Sequence, residues 1–268
     1  MQRYALGIEF NGVNYRGWQT QQVGIASVQQ TLEQALARVA NHAVIVHAAG
    51  RTDAGVHASN MVVHFDSASI RPERGWIMGT NALLPNDIAV RWIKPMPDTF
   101  HARFKAISRR YRYVLFNHPY RPALLAGQVT HIYQPLDITK MQAAAAKLVG
   151  THDFSSFRAV ACQSNQPVRT VKHADLTQRG QLIILDIQAD GFLHHMVRNI
   201  IGVLIAIGTG EQPVEWIDYL LSIKDRKQAG VTAPPDGLYF IQAYYPAAFE
   251  LPDVPLGPVW LMPLEERS

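Results

Sequence analysis

The chain has 268 residues, 48% of them hydrophobic and 17% charged, a globular composition long enough to bury a sizeable core in one large domain or two of ordinary size. A single cysteine, Cys162, excludes an intrachain disulfide and fits a reducing compartment, while a net charge of +4 suits an anionic partner such as nucleic acid. Nothing beside Cys162 would lower its pKa, which argues against a thiolate nucleophile. Met1-Gln2-Arg3-Tyr4 opens into a strand pattern without a signal-peptide core. The most apolar run, Ile200 to Ile207, is too short to span a bilayer and is interrupted by Gly202. The expectation is a soluble, cytoplasmic protein.

In chain order, Tyr4, Leu6, Ile8 and Phe10 alternate with Arg3, Ala5, Gly7 and Glu9 as in a half-buried strand. Asn11 to Gln22 reads as a loop. Ser27 caps a helix to about Ala40 whose inner face carries Val28, Leu32, Ala35, Leu36 and Val39. Strands are predicted over Ala43–Ala49, Met61–Phe65 and Ile88–Ile93, with a helix from Pro72 to about Leu83. After a connector with Pro95 and Pro97, a strand runs from Ile107 to Phe116, and a short one lies near Gln128–Tyr133. Asp137 caps a helix through Val149 that Gly150 ends. Val168–Thr177 and Leu182–Ala189 flank Arg179-Gly180 as a hairpin. Helices over His194–Ile207 and Val214–Leu221 precede a closing strand, Leu238–Tyr244.

Each half therefore reads β-α-β-β-α-β, with one extra helix in the second. That order is the split βαβ, or ferredoxin-like, unit, and the class is α+β. The predicted divisions are 1–105, 106–246, and a Pro-rich tail, 247–268, in which Trp260 and Leu261 dock on the body or on a second subunit. Two such halves can set their sheets edge to edge with a crevice between them.

The stretch Gly50-Arg51-Thr52-Asp53-Ala54-Gly55-Val56-His57 places a carboxylate in a loop between two glycines, which let another backbone come close. Arg51 offers a fork of donors suited to phosphate or carboxylate. The plainer alternative is a β-turn in which Asp53 bonds its own backbone. Arg198 lies in a helix that is apolar on nearly every side, so its guanidinium needs a carboxylate partner. Asp190, near in sequence, and Asp53, from the other half, are both open as that partner. An ionised Asp53 can serve as a nucleophile without a separate base.

Arg109-Arg110-Tyr111-Arg112-Tyr113 interleaves cations with aromatics, as phosphate contacts and base stacking require; an ordinary strand with a solvated basic face is the alternative. The basic loop Lys224 to Gly230, with Arg226 and Lys227, and the loop residues Tyr15, Arg16 and Trp18 are further candidates to hold a nucleic acid. His194 and His195, adjacent on a helix, should point in different directions. No His/Cys/Asp cluster has metal-ligand spacing, and no phosphate-cradling or nucleophile-elbow motif is present.

These motifs resemble the tRNA pseudouridine synthase A family. The resemblance rests on Gly50 to Ala58, on Arg109 to Tyr113, on Phe192 to Asn199, and on Ala229 to Phe240, together with Phe10-Asn11-Gly12 and Tyr15 to Gln19. It runs from about Tyr4 to Tyr245, with mild departures at His194-His195 and Pro235-Asp236. It implies a pseudouridine synthase fold: one mostly antiparallel sheet with helices on one face and a central cleft. It implies Asp53 as nucleophile, Tyr111 packed on the target base, Arg198 paired with Asp53, and Arg51 holding the extruded nucleotide. It further implies a homodimer acting on uridines 38 to 40 in the anticodon stem-loop of tRNA, with no cofactor and no metal; the shortness of the Ile200–Ile207 run argues for no membrane. The carboxylate can attack the sugar C1′ or the uracil ring. Two rival readings of the residues remain: a non-catalytic RNA-binding module, and a nucleoside N-glycoside hydrolase in which Asp53 assists water.

Overall fold

The computed structural model describes residues 1–21, 24–159, 162 and 166–261. Gln22, at the end of the first loop, and Pro263 of the tail lie outside the described residues. The chain forms two compact units, Met1–Ile107 with Tyr239–Ser268, and Ser108–Leu238. Both mix helices with strands, and pairing within each is mostly antiparallel, so the class is α+β. Among the described residues no helix is long and apolar enough to cross a membrane.

The first unit holds β1 (Gln2–Phe10), α1 (Val28–Ala40), β2 (His47–Ala48), β3 (His57–Ser67), α2 (Glu73–Asn81) and β4 (Ile88–Met96). Its strands run β4-β1-β3, with β2 on β3. This is the neighbour order of a split βαβ unit in which the second strand has shrunk. The cause of the shrinkage lies on α1. Strand pairing was expected from Ala43, but the Val46 amide donates to the Glu33 carboxylate of α1 (3.0 Å), while Val44 and Val46 remain buried. Burial is kept and the ladder is given up. Pro95, assigned to a connector, instead lies within β4, one residue from its end, opposite Tyr4. β4 is the outer strand here, where a missing N–H removes no pairing. Ser27 caps α1, its hydroxyl accepting from the Gln30 amide (3.3 Å). Tyr4, Phe65 and Trp76 pack ring against ring in the core between β1, β3 and α2.

The second unit holds β5 (Ser108–Asn117), β6 (Thr130–Ile132), α3 (Ile138–Ala146), β7 (Gly150–Asp153), β8 (Val168–Arg179), β9 (Leu182–Ala189), α4 (Met196–Gly208) and α5 (Trp216–Ile223). The strand order is β5-β9-β8-β7, with β6 parallel to the far end of β5. Asp137 caps α3, accepting from the Lys140 amide (3.1 Å). The helix stops at Ala146 rather than Val149, and Gly150, at φ +115°, begins β7. β8 and β9 form the hairpin around Gly180 (φ +59°). The closing strand β10 (Leu238–Tyr244) runs parallel to β3, pairing Tyr239 with His57 and Phe240 with Ala58, and so joins the first unit from Tyr239 onward.

Candidate active site

In the first unit the Asp53 loop fills the path between β2 and β3 and is held by main-chain contacts. The Trp18 amide donates to the Thr52 carbonyl (3.1 Å), the Gly55 amide to the Tyr15 carbonyl (3.3 Å), and the Val56 amide to the Asp53 carbonyl (3.2 Å). Two glycines of the 11–18 segment make this approach possible. A Cβ on Gly12 would lie 2.0 Å from the Val56 carbonyl oxygen, and one on Gly17 would lie 2.7 Å from that of Thr52. His57 closes the loop: its Nδ1 accepts from the Gly12 amide (3.0 Å), and its ring stacks on Tyr239 at 4.7 Å. The Asp53 side chain is partly exposed. Beside it the Thr52 hydroxyl is buried with no hydrogen-bond partner among the described residues.

The expectation that Tyr15 and Trp18 face a nucleic acid is corrected here. They are only 7% and 3% exposed. Trp18 packs toward Phe10, and the Tyr15 hydroxyl donates to Asp87 (2.6 Å); burial, then that bond and the charge of Asp87, push the phenol pKa upward. Both residues brace the loop rather than present a stacking face. Arg51 is exposed, with Nη1 donating to the Gln19 side chain (2.9 Å).

In the second unit Tyr111 lies on β5 opposite Ile187, mostly buried, with its ring edge-to-face against Phe192 at 5.0 Å. The arginines around it divide between two tasks. Arg109 donates to the Asp190 carbonyl (3.1 Å). Arg110 and Arg112 converge on Asp186 of β9, at 2.6 and 2.8 Å, joined by His173 at 2.9 Å. Burial alone would raise the Asp186 pKa, but the hydrogen bonds from Arg110, His173 and Arg112 outweigh it and hold the carboxyl at about 2. Two of the cations read as phosphate contacts are thus committed to a carboxylate of the neighbouring strand.

Arg198 sits in the first turn of α4, half-buried rather than enclosed. The helix begins two residues later than expected because His195 adopts φ +61°. His194 and His195 therefore do not diverge as helical neighbours would; their ring centroids lie 4.0 Å apart. The Arg198 Nε donates to the Ala233 carbonyl (2.8 Å), and the Ala233 amide donates to the Arg198 carbonyl (3.1 Å). Asp190, one of its two candidate partners, accepts from the Thr170 amide (3.1 Å).

The sequence profile described as tRNA pseudouridine synthase matches residues 8–105 and 144–246. The chain belongs to this family. It is 65% identical to the tRNA pseudouridine synthase A of Acinetobacter baumannii (strain AYE), over 97% of this chain and 98% of that protein. It is 63% identical to the protein of that name from Acinetobacter baylyi, over 97% and 96% of the two chains. The Pseudomonas aeruginosa protein of that name is 57% identical, over 98% and 93%.

For a tRNA pseudouridine synthase, sequence reasoning passed over two residues, one outside the quoted motifs and one inside the third. Asp186 was missed although it is the lone carboxylate in the apolar run Leu182–Ala189; only the β5–β9 register reveals that it faces Arg112. Asn199, next to Arg198 in the third motif, is fully buried and polar. An amide in an otherwise apolar helix was the available signal.

Proposed function

We propose that this protein isomerises uridine to pseudouridine at positions 38, 39 and 40 in the anticodon stem-loop of tRNA, with Asp53 as the nucleophile. The observation that carries this reading is the match over nearly the whole of both chains to relatives called tRNA pseudouridine synthase A, which takes in every motif quoted above. Asp53 stands on a braced main-chain loop in the first unit. Tyr111 is the aromatic platform for the extruded base, Arg198 the cation that keeps Asp53 ionised, and Arg51 a donor to the nucleotide. The target base must leave its stack, at a cost of a few kcal/mol that stacking and charge partly offset. The product is an isomer of the substrate, so the reaction consumes neither water nor redox equivalents.

The proposal extends to a cytoplasmic homodimer, in which a two-fold axis doubles the basic surface offered to one tRNA. Incubation with uridine-labelled tRNA followed by base-composition analysis tests the activity. Pseudouridine supports the reading; free uracil indicates a hydrolase, and unchanged uridine a binding module. Sedimentation at micromolar concentration tests the dimer. A single species of the 30.0 kDa chain mass that is still active overturns it.

A further inference from the structure

We infer that Arg226, Asn199 and Thr232 are positioning residues that set where the Arg198 guanidinium points, and that Arg226 is not a phosphate contact. The inference rests on the reading above, in which Arg198 serves the reaction. The segment after the basic loop is laid along one stripe of α4. At its far end Ala233 exchanges two hydrogen bonds with Arg198, one of them taken by the guanidinium Nε itself. One helical turn on, Gly202 lies so close to the segment that a Cβ there would be 1.8 Å from the Val231 carbonyl oxygen. Between these points a polar network closes the structure. The Thr232 hydroxyl donates to Asn199 Oδ1 (2.6 Å), and Asn199 Nδ2 donates to the Phe157 carbonyl (2.7 Å). Arg226 spans the remainder: Nη2 reaches Asn199 Oδ1 (3.1 Å) and Thr232 Oγ1 (3.0 Å), while Nη1 reaches the carbonyls of Ala229 (3.2 Å) and Gly230 (2.9 Å).

Arg226 thus spends four donor contacts inside the protein, in a planar fork that lysine cannot reproduce. Arg198 has a long, rotamer-rich side chain, and fixing one torsion near its end by a bond to Ala233 removes much of that freedom. The Ala233 carbonyl can do so only if its own segment is fixed, and the network supplies that. Asn199 is the keystone, since it follows Arg198 directly on the helix and is fully buried.

The experiment uses the full chain with uridine-labelled tRNA. Thr232→Val removes only the hydroxyl; Thr232→Ser restores it; Arg226→Gln removes the fork and its charge. Displacing a catalytic group by about 1 Å can cost roughly 100-fold, so the single-turnover rate at saturating tRNA should fall about 10- to 100-fold in Thr232→Val and Arg226→Gln. Thr232→Ser should recover most of it. The tRNA dissociation constant and its salt dependence should stay as in wild type. Hydrogen exchange at the Arg198 Nε proton, followed by NMR, should speed up in Thr232→Val. Wild-type rate and unchanged Nε exchange in Thr232→Val overturn the inference. So does a log–log salt slope shallower by about 0.7 to 0.9 in Arg226→Gln, the signature of one lost phosphate contact. Arg198→Gln, which removes the cation, tests the underlying reading separately: if it turns over like wild type, Arg198 has no part in the chemistry, whatever the Nε exchange reports.

Discussion

The Asp53 loop and the Arg198 segment hold their charged groups by opposite means. Around Asp53 the work is done by backbone: main-chain bonds, and glycines at positions 12 and 17 that let two loops touch. Around Arg198 the last contact is the Ala233 carbonyl, but the segment carrying it is pinned by side chains: an amide, a hydroxyl and a guanidinium bonded to one another and to nearby carbonyls. The Asp53 loop fails when an atom is added at Gly12 or Gly17; the polar network beside Arg198 fails when one is removed, although Gly202 makes an equally close approach there. A motif rich in glycine and a motif rich in polar residues can therefore serve the same end, and substitutions must be chosen accordingly.

The largest expected effect lies on the supported group itself. Asp53→Asn is nearly isosteric but no longer an anionic nucleophile, so turnover should drop by at least ~1,000-fold with folding and tRNA binding nearly intact. Product formed above that level sinks the nucleophile assignment. Next comes the backbone support. Gly12→Ala forces a Cβ against the Val56 carbonyl and should cost about 3 kcal/mol by urea unfolding. Gly180→Ala, at φ +59° with nothing within 4 Å, should cost only the ~1 kcal/mol of a left-handed backbone. Equal losses would break the distinction between close approach and conformational freedom.

A smaller effect is expected away from both regions, in acid. His64 is buried against His101 and His47, with its Nδ1 accepting from the Ala102 amide (3.2 Å). Burial first, then the charges of His101, His47 and Arg3 against that of Asp66, hold its pKa at about 3, below the ordinary 6.5. The folded chain therefore binds fewer protons than the unfolded one between those values. The stability linked to this group is complete above pH 6.5 and is lost as pH falls toward 3. His64→Asn keeps an acceptor but does not titrate, so its unfolding free energy should decline less across that window; an identical decline would discard the assignment. The smallest effect is expected at Arg110. Its guanidinium is bound to Asp186, so Arg110→Gln should shift the salt slope for tRNA by less than the ~0.7 of a phosphate contact.

Local rules carried most of the element order. Alternation gave β1, and side-chain caps at Ser27 and Asp137 gave the starts of two helices, because each signal acts within a few residues. What was hidden depends on distant partners. The loss of most of β2 follows from Glu33, thirteen residues from the amide it captures. The true start of α4 depends on a left-handed His195, which no propensity for that residue demands. For the site, the motif residues were legible but their surroundings were not. Tyr15 and Trp18 looked like ligands for RNA because exposure cannot be read from an aromatic in a loop. Arg110, Arg112 and Arg226 looked available to phosphate because their acceptors come from another strand, a helix or the main chain.

The division of the chain has a consequence for its synthesis. The second unit is one continuous run, whereas the first needs β10, made after that whole run, to cover β3 beside the Asp53 loop. At ~5–20 residues per second a ribosome takes on the order of ten seconds to add the intervening stretch. Through that interval the nascent first unit has an open strand edge next to His57, the kind of edge that recruits other strands. The Asp53 loop emerges early and the strand edge beside it is covered late, so newly made chains should depend on chaperones most in the window before Tyr239 is added.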